Sequence, residues 1–365
     1  MRFLVDLVVK SITNKKQAGR GDVGVLYTHG RFVGYVRFVA EKSAMSTDKN
    51  AQKLPPVHIK LAGVPEQVNV PIAICNERKI FERHGVAVEF VLVPEGTGAM
   101  LAKLESGEVD LALTVTDALM VGASSGRRVQ LVGTFVSSPL VWAVATGGSA
   151  SPSSSSSVPD SLEALMAQEQ IKFGVSRMGS GSHTMAQYAC ASHGRSLDGV
   201  SFVICNNIKG LTEAAQSGAC DAFLWETFTT KPLFDSGDLA KLGEVPTPWT
   251  SFSFAAPAAG VLSLEKEAAI RDQLFPALAE GCELFCAEGS SSAARIVREF
   301  GHKDEDAAAW LSRVQYNTAQ TMQADLTRTE ASIAILKDIG LVRHDFAAED
   351  LWRGSAIRRP RAAST

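Results

Sequence analysis

Twice along this chain, apolar β-branched runs alternate with segments of helical spacing, and that alternation restricts the fold more than any other feature. "VHIKLAG" (57–63) leads into "NVPIAICNERKIFERHG", whose apolar positions keep helical spacing up to Gly85 as a C-terminal cap. "VAVEFVLVP" is the next strand and "GTGAMLAKLESG" a helix opened by a Gly/Thr turn. "VDLALTV" is a third strand, "TDALMVGASSGR" a helix with Thr116 at its N-cap, and "VQLVGTFV" a further strand. The Ser-rich stretch "GGSASPSSSSSVPDS" (147–161) interrupts this order and reads as a flexible linker. The alternation then resumes through "SLEALMAQEQ", "IKFGVS", "SHTMAQYACASHG", "VSFVICN", "GLTEAAQSG" and "CDAFLW". Strands taking turns with helices imply parallel βαβ units covered by helices on both faces. From Glu265 to Gly340 only helical patterns follow.

The two stretches echo one another. "LAKLESGEVDLALTVTDAL" and "LTEAAQSGACDAFLWETFT" each read as a helix ending Ser-Gly, then an Asp, an apolar strand and a turn with Thr. Asp110 matches Asp221, and Gly107 matches Gly218. Two α/β lobes built to one plan are therefore expected.

Charge narrows the partners. The chain's formal net charge is −3, but residues 1–44 and the Arg-rich end 353–361 are basic, which leaves about −12 on residues 45–351. An acidic body argues against nucleic acid, since phosphate contact needs a basic face. No apolar run approaches the ~20 residues of a membrane span. The six cysteines form neither a CxxC pair nor a zinc-finger spacing, and read as free thiols of a reducing, cytoplasmic compartment. Residues 1–54 read as an extension: disordered, an organelle-targeting segment, or sequence upstream of a start at Met45. The basic tail 346–365 reads as disordered.

Open α/β sheets bind ligands beyond the carboxyl ends of their strands. That rule selects Gly63, Val64, Pro65, Gln67 and Asn69 after the first strand, Glu95, Gly96 and Thr97 after the second, and Thr114, Thr116 and Asp117 after the third. In the second half it selects Ser176, Arg177, Ser180, Gly181, Ser182 and His183, then Asn206 and Asn207, then Trp225, Glu226 and Thr227; Ser138 joins them from the crossing between halves. The turn "SRMGSGSH" lacks the GK[ST] ending of a P-loop. It does set small residues and Arg177 at a helix start, where backbone N–H groups favour an anion. A plain Ser-capped helix explains the same residues. Trp225 reads as a stacking surface or as hinge packing, His183 as a ligand contact or as local structure. Glu226 reads as an acceptor for a ligand amine or as an inter-lobe ion-pair partner. Thr97, Thr114 and Thr116 read as caps or contacts.

The ordered set "VHIKLAGVPEQVNVPIAICNERKIFERHG", "PEGTGAMLAKLESGEVDLAL", "GVSRMGSGSH" and "ACDAFLWE" resembles the type II periplasmic-binding-protein superfamily, over roughly residues 57–345. Within it the chain is similar to the branch of sulfonate, nitrate, taurine and thiamine-pyrimidine-precursor binding proteins. "FLWETFTTKPLFDSGDL" and "GEVPTPW" look closer still to intracellular, fungal-type members. The resemblance implies an α/β, two-lobe solute-binding fold, each lobe a mixed, mostly parallel sheet flanked by helices. Lobe 1 would comprise 55–140 plus 255–345 and lobe 2 141–254. They would be joined by two crossing strands, "SSPLVWAVATG" outward and "SFSFAAPAAGVL" back.

It further implies a monomeric small-molecule-binding protein that closes on an anionic, sulfonate-like or pyrimidine-like ligand, without catalytic residues, metal or cofactor. An enzyme of the thiamine-pyrimidine-synthase type shares the fold. It would need pyridoxal phosphate on a Lys, a sacrificial His and an iron-binding Cys run, and this chain has no Cys cluster. A cytosolic sensor or adaptor using the same cleft is a third reading.

Overall fold

The computed structural model describes residues 23–28, 31–37, 55–148, 159–322 and 326–352. The expectations for the Ser-rich linker at 149–158, for the tail beyond 352 and for most of 1–54 lie outside the described residues. Residues 1–53 form a compact unit of their own. Within it, β1 (Val23–Thr28) and β2 (Arg31–Arg37) pair antiparallel, with an irregularity between Leu26 and Tyr27.

The remainder, 54–365, is one unit holding two five-stranded sheets. The first runs in the order β4 (Val86–Leu92), β3 (Val57–Gly63), β5 (Leu111–Val115), β12 (Phe252–Pro257), β6 (Val129–Val136). The second runs β11 (Leu239–Pro246), β7 (Val141–Gly147), β10 (Ala222–Glu226), β8 (Ile171–Val175), β9 (Val200–Ile204). In each, three neighbouring strands are parallel and the fourth is antiparallel: β12 against β5 and β6, β7 against β10 and β11. Those two strands have each just crossed from the other lobe.

The crossing itself is shorter than expected. Residues 137–140 lead outward and 247–251 return, while β7 and β12 lie wholly within their sheets. The two crossings are tied together. Thr247 N–H donates to the Leu140 carbonyl at 2.9 Å, Leu140 N–H to Thr247 Oγ1 at 3.0 Å, and Ser251 N–H to the Ser138 carbonyl at 3.3 Å.

The internal echo has one physical meaning in both lobes. Asp110 and Lys60 of β3 exchange two bonds: Lys60 N–H donates to Asp110 Oδ2 at 2.9 Å, and Asp110 N–H to the Lys60 carbonyl at 3.0 Å. Asp221 and Lys172 repeat this at 2.6 and 2.8 Å on β8. The caps Gly107 and Gly218 take φ of 74° and 72°, a left-handed conformation that glycine adopts without a Cβ clash.

The helices of the first sheet are α1 (Val70–Glu77), α2 (Ile80–Arg83), α3 (Thr97–Ser106) and α4 (Thr116–Ser124). The second carries α5 (Leu162–Met166), α6 (Gly181–Ser192), α7 (Ile208–Gln216) and α8 (Thr227–Asp235). The helix expected over 69–85 is two, because Lys79 takes φ 54° and breaks it. The helical run from Glu265 likewise divides into α9 (Leu264–Ala269), a π-helical turn Ile270–Leu274, and α10 (Phe275–Ala287). Pro276 has no N–H to continue the i→i−4 ladder, and the wider turn before it absorbs the mismatch. α11 (Ser290–Phe300), α12 (Asp304–Arg313), α13 (Leu326–Asp338) and α14 (Ala348–Trp352) complete the chain.

Residues 319–322, expected to be helical, instead belong with 315–318 to a stretch that runs along β6: Ser137 N–H donates to the Gln315 carbonyl and Thr134 N–H to the Met322 carbonyl, both at 2.8 Å. One apolar core lies between the first sheet and α1 and α10, with Phe135, Phe254, Phe275 and Phe285 at its centre. A second core runs from the opposite face of that sheet, through α4 and α13, to Phe173 and Met185 of the other lobe.

Candidate functional site

The carboxyl ends of β3, β4 and β5 in the first lobe, and of β8, β9 and β10 in the second, supply the residues selected above. The two edges approach each other. The Arg177 guanidinium, from the second lobe, lies 3.3 Å from where a Cβ at Gly98 would stand, a close approach across the gap. Glu66, from the first lobe, feels the charge of Glu226, from the second.

On the first lobe, Gln67 and Asn69 are buried in the turn before α1. Asn69 Nδ2 donates to the Val64 carbonyl at 2.5 Å, while its Oδ1 is buried without a partner. Gly96 opens α3 at φ 79° and ψ −165°, backbone that suits glycine, and no side chain caps this helix. Thr97 is buried beside it, its Oγ1 accepting from Val115 N–H at 3.3 Å. Pro65 and Glu95 are exposed at the rim.

Thr114 is spent inside the sheet, donating to the Ser253 carbonyl at 3.2 Å. Thr116 is the first helical residue rather than the cap, and its hydroxyl meets Ser253 Oγ at 2.7 Å. Asp117 follows in the first turn of α4, 3% exposed. Ser138 belongs to the crossing, where its hydroxyl accepts from Gln315 N–H at 3.1 Å.

On the second lobe, the "SRMGSGSH" turn is knitted to itself. Ser182 Oγ accepts from Ser176 N–H at 2.9 Å, and Ser180 caps α6 by accepting from His183 N–H at 3.4 Å. Gly181 sits under Trp142, whose ring would lie 2.8 Å from any Cβ there. His183 is buried, with Nδ1 accepting from Gly179 N–H at 3.2 Å and Nε2 2.9 Å from the Gln187 side-chain amide. Burial lowers its pKa, and both ring nitrogens are taken up by neighbours in the same turn and helix. His183 is therefore occupied by its own turn.

Arg177 is exposed and makes no ion pair or side-chain hydrogen bond among the described residues. Asn206 is exposed at φ 68°, its N–H held by the Ser176 carbonyl. Trp225 packs edge-on against Trp142, centroids 6.4 Å apart. Glu226 stands opposite Trp142 in the β10–β7 ladder and caps α8, accepting from Thr229 N–H at 2.7 Å.

Three residues of this region escape a reading of the sequence. Glu66 was passed over between Pro65 and Gln67; burial first, and then Glu226, push its carboxyl up to about 7. Burial also raises Glu226, against the pull of the Thr229 and Phe228 N–H groups. Trp142 is 7% exposed, with an indole N–H that finds no partner, and Trp249 is 4% exposed. Trp249, on the returning crossing, lies by Asp117, whose carboxyl burial raises to about 6. A dry, unpaired polar atom costs ~1–3 kcal/mol. Two stand around this region, Asn69 Oδ1 and Trp142 Nε1. Others, at Gln130, Arg195 and Gln273, lie elsewhere.

Two sheets of like topology, the second inserted within the first and joined to it by two short crossings, define a recognisable architecture. The chain has the periplasmic-binding-protein fold. A family model described as Ca3427-like PBP matches residues 142–245. The CA3427 gene product of Candida albicans, itself of the generic periplasmic binding protein fold, is 25% identical over 82% of this chain and 94% of its own, with a TM-score of 0.69. The alkanesulfonate-binding protein SsuA of Xanthomonas axonopodis pv. citri, bound to MOPS, is 15% identical over 81% and 98%, with a TM-score of 0.61. The periplasmic aliphatic sulphonate binding protein SsuA of Escherichia coli is 15% identical over 81% and 91%, with a TM-score of 0.59. A search of curated proteins returned no match. No helix among the described residues is long and apolar enough to cross a membrane. Among them, too, no group of three or more His, Cys, Asp or Glu side chains is arranged to hold a metal.

Proposed function

We propose that this protein binds a small solute bearing an acid group in the gap between its two sheets, closes over it, and does no chemistry on it. One observation carries the reading. The helix starts at α6, α7 and α8 are capped by the side chains of Ser180, Asn207 and Glu226. α3 begins at Gly96 with no cap, and the unpaired Arg177 meets it from the opposite lobe. An uncapped helix start carries about half a positive charge and free N–H donors. Together with a guanidinium fork this suits a sulfonate, carboxylate or phosphonate. The alkanesulfonate bound by a structural relative is consistent with that choice.

Because Arg177 and Gly98 belong to different lobes, an anion held by both favours the closed arrangement over the open one. A monomer acting inside the cell completes the proposal; six cysteines without a disulfide accord with it. The thiamine-pyrimidine-synthase alternative gains no support, since Lys60 lies on the solvent side of β3, 3.9 Å from Glu89.

The test is calorimetric titration with short alkanesulfonates, alkanoates and alkylphosphonates, with small-angle scattering to follow compaction. Replacing Arg177 with Gln is expected to weaken the binding acids by about tenfold or more and to abolish compaction, at unchanged melting temperature. Undiminished affinity in that variant refutes the assignment.

A further inference from the structure

The lobes also touch away from the crossings, helix against helix. α8 belongs to the second lobe: Glu226 of β10 caps it, and its Leu233 and Phe234 pack with Ala145 of β7 and Phe223 of β10. α12 belongs to the first: Ala307 lies in that lobe's core, and Trp310 sits edge-on to Phe285 of α10, centroids 6.4 Å apart. Three contacts join the two helices. The Arg313 guanidinium stands over the Phe228 ring, 5.5 Å from its centroid. Lys231 Nζ lies 3.3 Å from Asp306 Oδ1, and Lys303 Nζ lies 2.6 Å from Asp235 Oδ2. As the numbers rise along α8 they fall along α12, so the helices run antiparallel, and the contacts span about 10 Å of helix.

The charges are arranged so that each lobe can do without the other. Lys231 also reaches both carboxylate oxygens of Asp235 at 3.0 Å, one turn further along its own helix. Asp306, buried while the helices touch, lies in the first turn of α12, where the N–H groups of a helix start favour an acid. The Lys303 side chain is already 58% exposed. Drawing the helices apart therefore strands no buried charge, the event that makes a buried ion pair costly to break. With the helices together, Lys231 and Asp235 are held by each other, so the pairs between lobes form at a lower cost in side-chain entropy than isolated pairs would. A contact with these properties suits repeated making and breaking.

One end of the contact is fixed beside the crossings. Gln315, just beyond Arg313, donates its N–H to Ser138 Oγ on the outward crossing at 3.1 Å. The Lys303–Asp235 pair is the other end, where a rotation about the crossings produces the larger displacement. We propose that α8 and α12 form an ionic latch between the lobes. Its pairs hold the arrangement in which Arg177 stands at Gly98, and the lobes part when the outer pairs let go. Lys231, Asp235, Lys303 and Asp306 thereby set how readily the gap opens, although none of them lies among the residues beyond the strand ends. The latch does not depend on what the gap holds, so it stands or falls separately from the anion reading above.

The experiment is small-angle scattering on the full-length protein with no solute added, which reads the separation of the lobes. K303E sets an acid against Asp235, D235K sets an amine against Lys303, and the K303E/D235K double variant restores the pair with its charges exchanged. Each single variant is expected to expand by about 1 Å on the ~20 Å radius of gyration of a chain this long, and the double variant to return to the wild-type profile. Raising the salt from about 20 mM to about 0.5 M shortens the screening length to a few ångströms. That is expected to expand the wild type toward the single variants and to change K303E less. Single variants as compact as the wild type, or a double variant as expanded as the singles, overturn the proposal. So does an equal response of the wild type and K303E to salt. If a variant folds poorly, the wild-type salt series decides: a profile that does not expand between those two concentrations overturns the latch by itself.

Discussion

Glu66 and Asp117 hold their protons more tightly in the folded protein than in the unfolded chain, at about 7 and about 6 against 4.5 and 3.8. A carboxyl whose folded value is raised stabilises the fold below its unfolded value and loses that contribution as the pH climbs to its folded one. The melting temperature of the ligand-free protein is therefore expected to carry a falling component between about pH 4.5 and 7 from Glu66. Replacing Glu66 with Gln should flatten that part of the profile, as followed by thermal unfolding across the range. A variant profile parallel to the wild type would show that Glu66 is not held neutral by the fold.

At this scale the sequence reveals position better than orientation. It places Gly96, Thr97 and Arg177 beyond strand ends, where they are found. It cannot tell that Thr114 and Ser138 turn their hydroxyls inward to Ser253 and Gln315, or that His183 is consumed by Gly179 and Gln187. Trp142 is missed because a tryptophan in an apolar run reads as core, and Trp249, between Pro248 and Thr250, because it follows none of the strand ends from which ligand contacts were selected. Only pairing register reveals that Trp142 faces Glu226.

Among the elements, the packing of α10 on α1 depends on Gly281. A Cβ there would press on Cys75 Sγ and come within 2.8 Å of the Pro71 carbonyl oxygen, which belongs to the backbone of α1 and cannot swing aside. Substituting Ala is expected to lower stability by ~1–3 kcal/mol, the usual result of overpacking a tight core, and a chemical denaturation midpoint measures it. An unchanged midpoint would mean the two helices part without loss.

The alternation of strands and helices was plain from the sequence because each strand is a continuous apolar run and each helix keeps its period. Breaks within helical patterns were not. The left-handed Lys79 has no sequence signal of the kind glycine gives, and the π turn before Pro276 preserves the apolar stripe that suggested one long helix. Residues 319–322 follow a helical composition yet run beside β6, where the sheet edge offers backbone partners that local propensity cannot anticipate.

For the molecule as a whole, the decisive feature is that the second sheet is inserted within the first. All five strands of the second sheet lie within residues 141–246, an unbroken length of chain. The first sheet is different: β12, which fills the place between β5 and β6, arrives only at residues 252–257. During synthesis, which proceeds from the N-terminus, the lobe that starts first must wait for the lobe that starts second. Protease treatment of ribosome-arrested chains of increasing length is expected to find 141–246 resistant before 57–136 becomes so; the reverse order would contradict it. Until residue 257 has left the exit tunnel, β5 and β6 each offer an open edge, and the nascent protein passes through an interval in which its later-made half is finished and its earlier-made half is still exposed to whatever else can pair with a strand.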